Sequence, residues 1–90
     1  MKSILQADKY ECFLCPSYGE LDKHHIFNGA GYRQKSEADG CYIYVCRRCH
    51  RLIHENWKKR LEVKKMAQRE WEKLYGTRED FIDRYGKSYL

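Results

Sequence analysis

The sequence predicts a small α+β fold in which a two-stranded hairpin plus a helix is followed by additional C-terminal helices. A chain of 90 residues is too short for two ordinary domains, so we expect residues 1–90 to form a single domain. Two segments, 20–27 and 41–45, have the β-branched and aromatic character of strands. From Arg47 onward, apolar residues recur at helical spacing instead.

The first predicted strand, residues 20–27, ends at a run of turn-forming residues. Residues 28–31 read Asn-Gly-Ala-Gly, which is typical of a turn. Residues 32–40 are polar and predict a loop, and the second strand follows at 41–45.

Three helices are predicted after the second strand. The first begins near Arg47 and carries His50 and His54 on one face, because residues four apart are neighbours on a helix. The second covers 57–75 and ends at Gly76, with an apolar stripe of Trp57, Leu61, Met66 or Ala67, Trp71 and Leu74. Thr77 resembles the N-cap of a third helix, which ends at Gly86. We expect Phe81, Ile82 and Tyr85 of this helix to face the core.

Charge and composition narrow the class of partner. Lysine plus arginine outnumber aspartate plus glutamate 18 to 13, a net charge of +5, and the pI near 9.0 favours polyanionic partners. We find no signal-peptide pattern and no apolar stretch of membrane-spanning length. We therefore expect a cytoplasmic protein with no membrane partner, in a compartment that keeps thiols reduced.

Four of the five cysteines form two Cys-x-x-Cys pairs separated by 30 residues. This spacing can bring Cys12, Cys15, Cys46 and Cys49 around one tetrahedral Zn²⁺, a closed and therefore structural site. A redox dithiol or disulfides are the alternatives. We expect the fifth cysteine, Cys41, to be a buried free thiol in the second strand.

The four histidines lie close to these cysteine pairs in sequence and predict a second metal site. His50 and His54 can bind one divalent cation, and a third ligand from the hairpin would leave positions open for water and phosphate. His24 and His25 point to opposite faces of a strand, so one can bind metal while the other acts as a general base. Asp22 lies on the face of His24 and could be a further ligand or could orient one. Alternatively, the histidines belong to a rearranged, non-catalytic zinc module.

Residues 21–26 (LDKHHI) and 46–54 (CRRCHRLIH) together resemble the HNH, or ββα-metal, endonuclease family with flanking zinc knuckles. The resemblance covers about half of the chain. It implies a ββα-metal finger, His25 as general base, and His24, His50 and His54 as ligands of a catalytic cation such as Mg²⁺, Mn²⁺, Ni²⁺ or Zn²⁺. One position departs from the family pattern, because Cys41 stands where the family usually has an asparagine that braces the base. Asn28 is the candidate replacement.

The loop 27–40 and the C-terminal residues 77–90 further resemble phage proteins near the recombination-enhancement, RecA-dependent nuclease group. This narrower resemblance implies a phage-encoded protein that acts in DNA processing or recombination in the host cytoplasm. A recombinase or another phage DNA-processing protein is the partner it implies.

The sequence is therefore interpreted as a DNA endonuclease of low sequence specificity, since no element suited to reading bases is evident. Several basic residues lie on or near the predicted helix that carries the two histidines, and they could contact the phosphate backbone of DNA. An ordinary solvated surface explains them equally well. These residues are Arg47, Arg48, Arg51, Lys58 and Lys59. The alternatives are a non-catalytic, zinc-dependent nucleic-acid-binding module and a zinc-stabilised protein-interaction adaptor.

Overall fold

The computed structural model describes residues 2–29 and 31–90, which fold into a two-stranded antiparallel sheet and four helices. Strand β1 is Asp22–His25 and strand β2 is Tyr42–Val45. They pair with Asp22 opposite Val45 and His25 opposite Tyr42. Both strands are shorter than predicted. After His25 the pairing continues with one hydrogen bond, from Ile26 N to Cys41 O at 3.0 Å. Ile26 and Phe27 then turn into the core.

The segment between the strands corrects one prediction. Residues 32–40 were expected to form a loop, but helix α1 spans Tyr32–Asp39. Gly31 and Gly40 flank it with φ of 85° and 79°, conformations that glycine adopts at little cost. The predicted turn at 28–31 precedes it, and within that turn Ala30 lies outside the described residues. The buried face of α1 is polar, comprising Ser36 and Asp39, so it leaves no apolar periodicity in the sequence.

Helix α2 spans Arg47–Glu55 and helix α3 spans Trp57–Leu74, which confirms both predicted helices. Asn56 alone separates them. Its backbone N–H donates to Leu52 O at 2.9 Å, which closes α2, and its side chain accepts from the amides of Lys58 and Lys59, which opens α3. Helices α2 and α3 therefore meet at a corner of one residue.

The buried face of α3 agrees with the predicted stripe at Ala67 and Trp71 but differs from it at the two ends of the helix. Val63, Ala67, Gln68 and Trp71 are buried, whereas Trp57 and Leu74 are each 61% exposed. The corner at Asn56 sets the direction of α3, and both ends of the helix extend beyond the core.

Helix α4 spans Arg78–Tyr85 and begins and ends as predicted. Thr77 and Asp80 form a reciprocal capping box, and Gly86 closes the helix with φ of 91°. Phe81 and Tyr85 are fully buried, but Ile82 is 38% exposed, so its predicted place in the core is wrong.

The core lies between the sheet and the helices. It contains Phe27, Ile43, Val45, Ile53, Val63, Ala67, Trp71, Phe81 and Tyr85, and the aromatic rings of Phe27, Trp71, Phe81 and Tyr85 contact one another. The N-terminal segment covers the free edge of β2, where Gln6 Oε1 accepts from Tyr44 N at 2.7 Å. Among residues 2–29 and 31–90, no helix combines the length and apolarity needed to cross a membrane.

Candidate metal centres and the histidine cleft

The two Cys-x-x-Cys pairs come together near the end of the sheet where β1 begins and β2 ends. The first lies in a tight turn before β1, where Cys12 N donates to Ser17 O at 2.8 Å. The second lies at the start of α2, where Cys46 is the N-cap and Cys49 is in the first turn. Cys46 N also donates to Cys12 Sγ at 3.3 Å, so the backbone of one pair supports the sulfur of the other.

The four sulfur atoms have the spacing that a tetrahedral metal requires. They all lie within 4.8 Å of one another, and Cys15 Sγ is 3.7 Å from Cys46 Sγ. Ligands at the Zn–S bond length would stand about 3.8 Å apart around a tetrahedral Zn²⁺. All five cysteines of the chain are free thiols rather than disulfides. The four-cysteine cluster can therefore hold a structural metal such as zinc.

The electrostatics of this cluster also favour a cation. The hydrogen bond with Ser17 lowers the pKa of the Cys15 thiol to about 6, whereas burial, and then its hydrogen bond with Cys46, raises the pKa of Cys49 to about 12. Sulfurs packed this closely cannot all ionise unless a positive charge compensates them. Cys41 is separate from the cluster and fully buried just before β2, where burial raises the pKa of its thiol to about 12.

Three histidines form a second cluster, between β1 and α2. The candidate ligand atoms of His24, His50 and His54 lie within 4.8 Å of one another. Nε2 of His50 and Nε2 of His54 are 3.2 Å apart. Two nitrogens bound to one ion at about 2.1 Å would be separated by about 3.0 to 3.4 Å, so the pair fits a shared cation.

A carboxylate and burial keep this cluster in a form that can bind metal. Asp22 Oδ2 lies 3.1 Å from His50 Nδ1, which leaves His50 Nε2 facing His54. Asp22 thus orients His50 and is not a member of the three-histidine cluster. The hydrogen bond with His50 holds the pKa of Asp22 below its usual range. Burial, and then the neighbouring His50 and His54, lower the pKa of His24 to about 4, so its imidazole is neutral at pH 7.

His25 stands apart from the three-histidine cluster but lines the same cleft. Its Nε2 lies 2.7 Å from Oε1 of Glu37, on α1. Its backbone carbonyl accepts from Asn28 Nδ2 at 2.8 Å. Asn28 is the residue suggested above as a replacement for the asparagine that the HNH family usually has. Glu37 was not among the predicted site residues, because it lies in a segment that was expected to form a loop.

The basic side chains of the cleft are not the ones predicted to bind DNA. Arg33 and Arg60 line the cleft with all four histidines, Lys23 and Asn28. Arg48 and Arg51 instead line a groove beside Cys15 and Cys49.

The other predicted phosphate contacts also lie outside the cleft lining. Arg47 is 84% exposed and contacts Asp22, with its Nε 3.3 Å from Oδ2. Lys59 pairs with Glu62 at 3.4 Å, and Lys58 Nζ lies 5.8 Å from the ring centroid of Trp57.

Comparison of the chain with protein-family models, with curated proteins and with solved structures gives no match. The chemistry of the two clusters and of the cleft is therefore the basis on which a function can be assigned.

Proposed function

We propose that the protein is a metal-dependent endonuclease that hydrolyses DNA phosphodiester bonds with low sequence specificity. The observation that carries the proposal is the pairing of three clustered imidazoles with a fourth, His25, which lines the same cleft but lies outside the cluster. A binding module needs no such fourth imidazole. The HNH resemblance of residues 21–26 and 46–54 supports the same function.

In this proposal His24, His50 and His54 hold a divalent cation, which would stabilise the charge that develops on the phosphate and on the leaving 3′ oxygen. Imidazole ligands suit Zn²⁺ or Ni²⁺ better than Mg²⁺, although Mg²⁺ and Mn²⁺ stay among the candidates. The four-cysteine cluster binds a separate, structural zinc.

The chain's own side chains account for the other steps. His25 takes a proton from the attacking water, whose oxygen bonds to phosphorus as the bond to the 3′ oxygen breaks. The leaving oxygen takes a proton from solvent. Arg33 and Arg60 are placed to bind the phosphate, and Arg60 is fixed because its guanidinium donates to the carbonyl of His54 at 3.0 Å.

A plasmid-nicking assay tests the proposal. The metal-loaded protein should convert supercoiled DNA to the open circle, and a chelator should stop the reaction. His25→Ala should keep both metals and DNA affinity but lower the rate by about 10²- to 10⁴-fold, the usual contribution of a positioned base. His50→Ala or His54→Ala should lose the second metal and cleavage but keep the zinc, because the two sites use different ligands.

Two results would contradict this function. If fully loaded wild-type protein binds DNA but never nicks it, the chain is a non-catalytic zinc-dependent nucleic-acid-binding module. If His25→Ala nicks at the wild-type rate, another residue is the base. Lys73→Ala, an exposed change on α3, is the control for charge loss outside the cleft lining.

We also propose that the protein is phage-encoded and acts in the host cytoplasm. Its role there would be DNA processing or recombination, with a recombinase as its partner. The resemblance of residues 27–40 and 77–90 to the RecA-dependent nuclease group supports this extension. Nicking of recombinase-coated DNA should then exceed nicking of naked DNA at equal protein concentration.

A further inference from the structure

The candidate base is held by a carboxylate from a separate element. Glu37 Oε1 lies 2.7 Å from His25 Nε2, and the side chain of His25 is only 11% exposed. The same carboxylate binds Lys23, whose Nζ is 2.8 Å from Oε1 and 2.9 Å from Oε2. Glu37 therefore joins helix α1 to two residues of strand β1.

This contact determines which nitrogen of His25 carries the hydrogen. Hydrogen bonds from Lys23 and then His25 hold the pKa of Glu37 below its usual range, so the carboxylate is ionised and can only accept. Nε2 of His25 must then be the donor. In the neutral ring Nδ1 is left with a lone pair and no hydrogen, the form that a base requires.

The backbone of His25 is fixed as well as its ring. His25 pairs with Tyr42 in the sheet, and its carbonyl accepts from Asn28 Nδ2 at 2.8 Å. With the backbone and Nε2 both held, rotation of the ring would break the bond to Glu37. The direction of Nδ1 is thus determined by contacts from the sheet and from α1.

We propose that Glu37 is the positioning residue of His25, holding Nε2–H so that Nδ1 takes the proton of the attacking water. This inference rests on the proposed nuclease function. When Nδ1 has taken the proton, the imidazolium carries a positive charge 2.7 Å from the Glu37 carboxylate, which stabilises it. Glu37 itself exchanges no proton and touches neither metal nor phosphate.

The first test separates rate from binding. Glu37→Ala should lower kcat by about 10- to 100-fold, the usual cost of losing a residue that orients a catalytic group, with metal content, DNA affinity and Tm close to wild type. Glu37→Gln keeps a side-chain oxygen that can accept from Nε2–H but loses the charge, so its kcat should be intermediate. Glu70→Ala is the matched control, because Glu70 also pairs with a lysine, Lys73, at 2.9 Å, but on α3 rather than beside His25.

A double-variant cycle then separates positioning from general stability. If Glu37 acts through His25, Glu37→Ala should have no further effect on the rate of His25→Ala. An equal loss in both backgrounds would overturn the proposal, as would a wild-type kcat in Glu37→Ala.

The final measurement does not depend on cleavage. Nitrogen-15 NMR of the imidazoles should show His25 with hydrogen on Nε2 in the wild type and a mixture of tautomers in Glu37→Ala. A wild type with this tautomer but no nuclease activity would refute the proposed function alone. A wild type that cleaves DNA with hydrogen on Nδ1 would refute the role of Glu37.

Discussion

Two imidazoles of the cleft each have one ring nitrogen bound to a carboxylate, and the two carboxylates serve different purposes. Asp22 binds Nδ1 of His50 and so turns Nε2 toward the histidine cluster. In our proposal Glu37 accepts from Nε2 of His25 and so leaves Nδ1 without hydrogen. The choice of nitrogen, rather than the identity of the residue, distinguishes a proposed ligand from a proposed base.

We expect one zinc per chain on the four-cysteine cluster, and its loss should unfold the protein. Cys12→Ser should abolish zinc binding and folding, because the metal supplies folding free energy that the core of a 90-residue chain cannot easily replace. Elemental analysis and circular dichroism with and without chelator measure both effects. Cys41→Ala is the matched control and should keep the zinc. A zinc-free protein that stays folded would show the assignment to be wrong.

The sequence predicted the candidate metal-binding residues well, because their spacing along the chain is itself typical of a metal site. The two Cys-x-x-Cys pairs and the i, i+4 histidines meet in the structure as their spacing indicated. Arg33 and Arg60 reach the cleft, and Glu37 reaches His25, only through the tertiary fold, so no local pattern identified them. An exposed carboxylate or guanidinium is too common in sequence to be distinguished without its neighbours.

At the scale of elements, predictions succeeded where a buried face is apolar and failed where it is polar. Strands β1 and β2 and helices α2, α3 and α4 all follow recognisable patterns. Helix α1 does not, because its buried Ser36 faces Phe27 and bonds to both backbone groups of that residue, at 3.1 and 2.9 Å. The sequence marks the start and the end of α1 only by the glycines on either side of it, Gly31 and Gly40.

The capping box of α4 should make a measurable contribution to stability. Thr77 Oγ1 accepts from Asp80 N at 3.1 Å, and Thr77→Ala removes that acceptor. We expect the free energy of unfolding to fall by about 1 kcal/mol, the usual value of an N-cap. Urea denaturation of the zinc-loaded protein should show a lower midpoint with an unchanged slope. Thr77→Ser keeps the hydroxyl and should stay near wild type; an equal loss in both variants would mean that the cap is not the cause.

At the scale of the whole molecule, Asp39 connects three helices. Its carboxylate accepts from Trp71 Nε1 on α3 at 2.8 Å, and from Tyr85 OH and Arg84 Nη2 on α4, also at 2.8 Å. Its backbone carbonyl accepts from Tyr75 OH at 2.7 Å. The C-terminal helices are thereby tied to the end of α1, the helix that carries Glu37.

Removing this connection should strongly destabilise the protein. Asp39→Ala leaves a partly buried guanidinium and two buried donors without their acceptor, and should cost about 3 kcal/mol or more of unfolding free energy. Asp83→Ala, an exposed change on α4, should stay within about 0.5 kcal/mol of wild type. Thermal and urea unfolding of both variants make the comparison. Similar midpoints would show that apolar contacts alone hold α4.

The corner at Asn56 has a consequence for how the chain tolerates changes in length. Because this one residue ends α2 and begins α3, there is no spare backbone to absorb an insertion. One residue added at this extended position would displace the start of α3 by up to about 3.5 Å relative to α2 and move Val63, Ala67 and Trp71 away from their places in the core. An insertion or deletion at the corner is thus incompatible with the fold.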